Sequence, residues 1–422
     1  MDQPILDAVL IIKDEEKHLP ACLTALQVLR PLLGGIYVYD TGSTDDSIAI
    51  CESFGCTVQR GYWDDDFARA RNAASAMASA TWLLHVDADE TALVDVDKLR
   101  SMLQRSLGSF DVLHFTVRSW NSDRLIGDAP IGRLVRRETT TFVGRVHEHA
   151  VAAHAGAHVR SAILPSDILM MSHLGYSGPG TMQRKSERNV AISDTEVERC
   201  RTAGTPEDDL QLALIHRVRA NSALGRWDVA DRDLREIRTM SARLPTRVYA
   251  GELLVDRALT RSDTEEAVAL LGEVVDEGSD PQWVRWKLAC LSQLQGDPQA
   301  AWSLMQRVDN VVNAMGETVS PVVVLYDRAR LAIDAGCMDE AVATALVLVG
   351  RHGQTDFIPF LLAAWASWPP AVMAGLLAEP GDLFARQIRA ALARAGEVGV
   401  AVLTSYDALT TERRSATRVA TR

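Results

Sequence analysis

The run Trp82-Leu83-Leu84-His85-Val86-Asp87-Ala88-Asp89-Glu90 constrains this chain more than any other stretch. A short, mostly apolar segment that stops at two carboxylates one residue apart reads as a buried strand. It would deliver Asp87 and Asp89 to the carboxyl edge of a sheet, where open α/β sheets bind ligands. Two hard oxygen donors there suit a divalent cation that carries phosphates. The same residues also read as a strand and a turn whose acids cap the next helix, so the neighbouring segments decide.

Those neighbours alternate. Ala8–Ile12 is a β-rich run, and after Lys13-Asp14-Glu15-Glu16 the leucines at 19, 23, 26 and 29 share one helical face. Gly34-Gly35 breaks that helix, and Ile36–Tyr39 forms a second strand ending in Asp40. Thr41 to Ser47 turns into a helix with Ser and Asp at its start. Cys56-Thr57-Val58 is a third strand, Phe67–Ala80 an Ala-rich helix, and the run at 82 a fourth strand. Strands and helices alternating at this spacing predict a parallel, Rossmann-like sheet. Beyond Asp111–Val117, segments at 131–137, 140–152 and 162–174 follow one another without long helices, which predicts a mixed or antiparallel extension. A charged helix over 183–199 closes this half.

From about residue 205 nothing strand-like persists. Segments starting at Gly225, Ser262, Gly296 and Gly336 each place an Ala five residues after a small turn residue, with starts 37, 34 and 40 residues apart. Helix hairpins of the tetratricopeptide type repeat at about 34 residues, with small side chains where paired helices touch. An irregular helical bundle is the competing reading. The fold class expected is therefore an α/β, Rossmann-like mixed sheet followed by an all-α, tetratricopeptide-like repeat domain. The expected limits are 1–200 and 201–410, with a flexible tail over 411–422 that holds Arg413, Arg414, Arg418 and Arg422.

Lys and Arg total 44 against 56 Asp and Glu, a formal net charge of −12, which argues against nucleic acid as the main partner. The six cysteines (22, 51, 56, 200, 290 and 337) show neither a CxxC pair nor zinc spacing. With no basic-then-apolar leader, they fit reduced thiols in a cytoplasmic protein. Phe357–Ala378 carries no charged residue, but Pro359, Pro369 and Pro370 interrupt it. Two buried helices joined at Trp368-Pro369-Pro370 are expected rather than a transmembrane span.

Several motifs of the first half, taken together, resemble the family 2 glycosyltransferases of the GT-A fold. They are Ile11-Ile12-Lys13-Asp14-Glu15-Glu16, Tyr39-Asp40-Thr41-Gly42-Ser43-Thr44-Asp45, Asp66-Phe67-Ala68-Arg69-Ala70-Arg71-Asn72 and Val86–Glu90. Gly144–Glu148, Ser172-His173-Leu174-Gly175-Tyr176 and Lys185–Asn189 extend the match. Followed by helical repeats, these pieces look like the subgroup whose catalytic domain carries a tetratricopeptide-type C-terminal region. Some members of that subgroup glycosylate cysteine or serine side chains of ribosomally made peptides. Asp14, where the subgroup usually has Asn, and Thr41, where many relatives carry a second Asp, depart from the pattern.

A nucleotide-sugar donor presents a base, a ribose, a diphosphate and an anomeric carbon, and each finds a counterpart. Asp40 can accept from the N–H of a uracil or guanine. Ile12, Lys13 and Glu15 at the tip of strand one flank base and ribose, although Glu15 and Glu16 also read as first-turn helix charge. Gly42 lets the chain turn under the nucleotide. Asp66, Arg71 and Asn72 lie on or just before one helix, with Arg71, Asp87 and Ala88 expected on the phosphate side. Asp89 is the leading ligand for Mn²⁺ or Mg²⁺. By family position, His173 is a further metal or diphosphate contact and Glu148 the base that takes the acceptor's proton. His147 is expected to orient the acceptor or pack beside it. Of Arg133 and Arg136 one clamps phosphate, and Arg136 is the expected member. Trp63 and Trp120 either stack on sugars or fill the core, with Trp120 assigned to the acceptor side.

The function expected is a metal-dependent, inverting transfer of a hexose from a UDP-type donor, UDP-glucose or related, to a peptide or protein side chain gathered by the repeats. A homodimer through the helical domain is compatible with such a stack. The alternatives are a saccharide or lipid-linked acceptor, with the stretch near Trp365 touching a membrane, and a repeat scaffold that has lost catalysis. A nucleotidyltransferase would open with a Gly-rich phosphate loop after strand one, which Lys13-Asp14-Glu15-Glu16 is not.

Overall fold

The computed structural model describes residues 5–121, 124–166, 168–173, 181–241, 244–365, 367–379 and 384–420. The chain divides into two compact units, Met1–Ser122 with Ile126–Ala230, and Asp123–Leu125 with Asp231–Arg422.

The first unit opens with β1 (Leu6–Ile12), α1 (Leu19–Leu26), β2 (Leu33–Asp40), α2 (Ser47–Ser53), β3 (Thr57–Arg60), α3 (Phe67–Ser75) and β4 (Trp82–Asp87). These four strands are parallel, with β1 between β2 and β4. Side chains alternate between two cores, as a strand's period of two requires. Leu6, Ala8, Leu10 and Ile12 join Trp82, Leu84 and Val86 in one cluster, with α1 and its leucines. Val9 and Leu83 join Ala70 and Ala74 of α3 in the other. By the same alternation Asp87 points to the α3 side. The Ala-rich helix stops at Ser75 rather than Ala80, because the buried Asp7 carboxylate accepts from the backbone N–H groups of Ser79 (2.9 Å) and Ala80 (2.8 Å).

β5 (Glu90–Val94), α4 (Val96–Ser106), β6 (Val112–Asn121), β7 (Arg124–Arg136), β8 (Thr140–Val143), β9 (His149–Ala152), β10 (Ser161–Ile163) and β11 (Leu169–His173) follow. The sheet order is β3-β2-β1-β4-β7-β6-β11-β5, with β10 paired to β6. The expected extension is thus continuous with the parallel strands, joined through β7 antiparallel to β4, while β8 and β9 form a separate two-stranded ribbon. α5 (Thr181–Ala203) and α6 (Glu207–Ala223) close the unit, and α7 (Trp227–Thr239) runs on past it.

The second unit is helical. It contains α8 (Leu244–Thr260), α9 (Thr264–Asp276), α10 (Pro281–Leu294), α11 (Pro298–Met305), α12 (Pro321–Asp334) and α13 (Met338–His352). α14 (Ile358–Ala364), α15 (Pro370–Ala378), α16 (Ala385–Arg394) and α17 (Gly396–Ala420) complete it. The repeat signal has a direct structural cause. Gly225, Ser262, Gly296 and Gly336 adopt φ of 69°, 58°, 82° and 73°, the left-handed conformation that ends one helix and starts the return. Ala230, Ala267, Ala301 and Ala341, five residues on, are at most 1% exposed. The apolar stretch over 357–378 is broken between α14 and α15, and no described helix is long and apolar enough to cross a membrane. Leu174, Gly175, Tyr176 and Arg422 lie outside the described residues.

Candidate active site

Asp87 leaves the end of β4 toward α3, and α3 presents the buried Arg71. The Arg71 guanidinium donates to Asp87 Oδ1 (2.8 Å) and, through Nε, to Glu148 Oε1 (2.6 Å). One cation therefore joins the strand-end carboxylate to a carboxylate from the β8–β9 turn, 61 residues away in sequence. The turn is held in place from the same helix. Asn72 accepts from the Phe142 N–H (2.9 Å) and donates to the Phe142 carbonyl (2.9 Å). The Phe67 N–H bonds the Arg145 carbonyl at 3.0 Å. Within the turn Gly144 and His147 take φ of 100° and 54°; the positive φ of His147, a non-glycine residue, is the kind of backbone strain that clusters at functional sites.

Asp87 has a second cation. Arg133 of β7 contacts Asp87 Oδ2 at 2.6 Å and also pairs with Glu90, which is 2% exposed. Burial alone would push Asp87 up, but Arg133 and Arg71 outweigh it and hold the carboxyl well below its usual range. Beneath Arg71, the fully buried His85 is kept neutral by burial and by the two arginines. The expected clamp Arg136 is corrected here. It lies opposite Trp82 at the other end of β4 and pairs with Asp111 (3.8 Å), so Arg133 is the arginine at the carboxylate edge. Direction explains this: β7 runs antiparallel to β4, so residues earlier in β7 approach Asp87.

Register brings the next pair together. β11 places His173 opposite Glu90 on one side and opposite Ser119 on the other. His173 Nε2 then lies 3.3 Å from Asp89 Oδ2, with Nδ1 3.4 Å from Ser119 Oγ. Lys185 of α5 contacts the same Asp89 oxygen at 2.7 Å. Burial would raise Asp89, but the His173 hydrogen bond and the charges of His173 and Lys185 bring it to about 2. Among the described residues no three His, Cys, Asp or Glu side chains form a ready-made metal cage. Asp89 and His173 nevertheless fit two adjacent ligands, since neighbouring corners of an octahedron with bonds of about 2.1 Å lie about 3 Å apart. Phosphate oxygens of a donor would have to complete such a shell.

The loops after β1 and β2 interlock at the same edge. Asp14, with φ 54°, accepts from the Thr44 N–H (2.7 Å), and its own N–H donates to Ser43 Oγ (3.0 Å). Thr41 donates its hydroxyl to the Ile12 carbonyl (2.9 Å). The two departures from the family pattern thus tie the loops together. Asp40, 3% exposed, accepts from the N–H groups of Gly42 (3.2 Å) and Ser43 (3.1 Å), and Gly42 has φ 113°. Ile12 and Ala88 are buried, and Lys13 is exposed just past β1. Asp66 caps α3, accepting from the Arg69 N–H at 2.8 Å. Trp120 is buried directly after Ser119, and Trp63 packs edge-on against Phe67 with centroids 4.7 Å apart. His147 lies beside His216 of α6, ring centroids 5.0 Å apart. Residues that sequence reasoning left without a role are Glu90, Lys185 and Arg188, whose guanidinium lies 5.0 Å from the Phe67 ring.

Glu15 makes a prediction. Burial, with the charges of Asp89, Asp87 and Asp45, raises it to about 7. The folded state then holds a proton that the unfolded chain has released above its usual value of 4.5, so Glu15 costs stability as pH rises from 4.5 to 7. Glu15→Gln is expected to stabilise the EDTA-treated protein by about 2 kcal/mol at pH 8, after allowance for partial solvent screening. The gain should fade toward pH 4.5. Urea titrations at the two pH values check this, and equal stability at pH 8 would contradict it.

Residues 7–146 match the family model Glycosyl transferase family 2. A TPR repeat-containing protein of Synechococcus elongatus is 26% identical over 349 residues, covering 80% of this chain and 74% of that protein. The SPbeta prophage-derived glycosyltransferase SunS of Bacillus subtilis is 30% identical over 90 residues, about a fifth of either chain. Among solved structures, S. aureus TarS 1–349 in complex with UDP-GlcNAc shares 13% identity at a TM-score of 0.33, over 71% of this chain and 90% of that one. Glucosyl-3-phosphoglycerate synthase from Mycobacterium tuberculosis, in complex with Mn²⁺ and UDP-glucose, shares 18% at 0.23, over 27% and 44%. The N-terminal unit carries a family 2 glycosyltransferase domain.

Proposed function

We propose that this chain transfers a hexose, with inversion, from a UDP-type donor to a side chain of a peptide or protein. The observation that carries the reading is the Arg71 bridge, which keeps the Glu148 carboxylate one guanidinium away from Asp87 at the strand edge. The loops at Ile12–Glu15 and Asp40–Gly42 receive base and ribose. A divalent ion on Asp89 and His173, Mn²⁺ or Mg²⁺, would neutralise the diphosphate as it leaves; imidazole favours Mn²⁺. Glu148 takes the proton from the acceptor's nucleophilic atom as that atom bonds the anomeric carbon and the bond to phosphate breaks. Arg71 and Asn72 fix the direction from which Glu148 approaches. His147 and Trp120 belong to the acceptor side in this reading. The peptide acceptor draws its support from the α8–α13 hairpins, since stacked hairpins bind extended chains.

The test is donor turnover. Purified protein with Mn²⁺ and a panel of nucleotide sugars is expected to hydrolyse one donor slowly, releasing sugar of inverted anomeric configuration by NMR, and to stop on addition of EDTA. No turnover and no thermal stabilisation with any donor would sink the reading. A bound donor at about 100 times its dissociation constant should add about 2.7 kcal/mol.

A further inference from the structure

Around the carboxylate edge the cations are unevenly shared. Arg71 and Arg133 serve Asp87, Glu90 and Glu148 from within the core. Asp89, 8% exposed at its side chain, is instead met from outside by the Lys185 ammonium, 2.7 Å from the oxygen that also faces His173 Nε2. Lys185 sits on α5 with a third of its side chain in solvent, and its four-carbon stem is flexible. One turn further along α5, Arg188 is solvent-accessible and feels the charges of Asp65, Glu148, Glu15 and Asp87.

An ammonium on Asp89 Oδ2 and a divalent ion ligated by the same oxygen compete, because the two positive charges repel each other at a single carboxylate. We propose that Lys185 is a tethered stand-in cation: it neutralises Asp89 in the free protein, yields that oxygen to the metal, and turns onto the donor's diphosphate, where Arg188 joins it. This rests on the glycosyltransferase reading of the site. It adds a thermodynamic coupling. The metal alone has to displace Lys185 into water, whereas with nucleoside diphosphate present the ammonium has an anion to receive it. Metal and diphosphate then strengthen each other, and by linkage the factor is the same in both directions.

The experiment measures binding rather than turnover. Mn²⁺ affinity is read from the free-ion EPR signal with and without UDP, and UDP affinity by calorimetry with and without Mn²⁺. The proteins are wild type, Lys185→Met and Asp89→Asn, each confirmed folded by circular dichroism. Lys185→Met is expected to bind Mn²⁺ alone about tenfold more tightly than wild type, a change of about 1.4 kcal/mol. It should also bind UDP more weakly, so that the mutual enhancement seen in wild type shrinks. If wild type binds Mn²⁺ through Asp89, shown by loss in Asp89→Asn, yet Lys185→Met binds it no more tightly, the stand-in role is overturned while the site reading survives. If neither wild type nor Lys185→Met binds Mn²⁺ or UDP, both fall together.

Discussion

Glu148→Gln should cost transfer about 10²- to 10⁴-fold, the range for removing a positioned general base, while leaving donor affinity within about threefold of wild type. The expectation follows from what the amide keeps and what it loses. Gln presents an oxygen where Glu148 Oε1 accepts from Arg71 Nε at 2.6 Å, so the β8–β9 turn retains its anchor. Asn72 and the Phe67 N–H continue to hold that turn. What disappears is the ability to take a proton from the acceptor. Arg71 still has Asp87 as its counterion, so no buried charge is left unpaired. Transfer kinetics under single-turnover conditions, with donor binding measured separately, provide the check. A variant that keeps wild-type turnover would remove Glu148 from the chemistry and leave it a structural partner of Arg71.

How the site became legible differs from residue to residue. Asp87, Asp89 and the strand that carries them were readable because period-two alternation and an abrupt polar stop are local properties of sequence. The hairpin turns were readable too, since a left-handed turn residue and a buried Ala recur at fixed spacing. The choice between Arg133 and Arg136 was not. Three residues apart on one strand, they face opposite ways and lie roughly 10 Å apart along it, and only the antiparallel direction of β7 shows which end reaches Asp87. The meeting of His173 with Asp89 depends on the β5–β11 register, which no single segment encodes. Asp66 and Asp40 show the reverse difficulty. A carboxylate that caps a helix or a turn has the same sequence signature as one awaiting a ligand.

Arg71→Met is expected to be strongly destabilising, because Arg71 compensates two carboxylates at once. Its side chain is 4% exposed and Glu148's is 12% exposed. Removing one partner of a buried ion pair typically costs about 3–5 kcal/mol, most of it from the charge left behind. Here Glu148 would lose its guanidinium entirely, whereas Asp87 would keep Arg133. Arg71→Lys should recover only part of the loss, since an ammonium is a point charge and cannot reproduce the fork that spans both carboxylates. The pH dependence gives a second, independent readout. Asp87 is held below its usual range in the folded state, so the stability it contributes is present above the unfolded value of about 3.9 and is lost as pH falls below it. With Arg71 gone that depression is smaller, and the acid limb of the stability curve should flatten between about pH 4 and pH 2. Urea unfolding of wild type, Arg71→Met and Arg71→Lys at pH 7 and across the acid range measures both effects. Stability of Arg71→Met within about 0.5 kcal/mol of wild type at pH 7 would show that the bridge is not what holds Glu148 and Asp87 together.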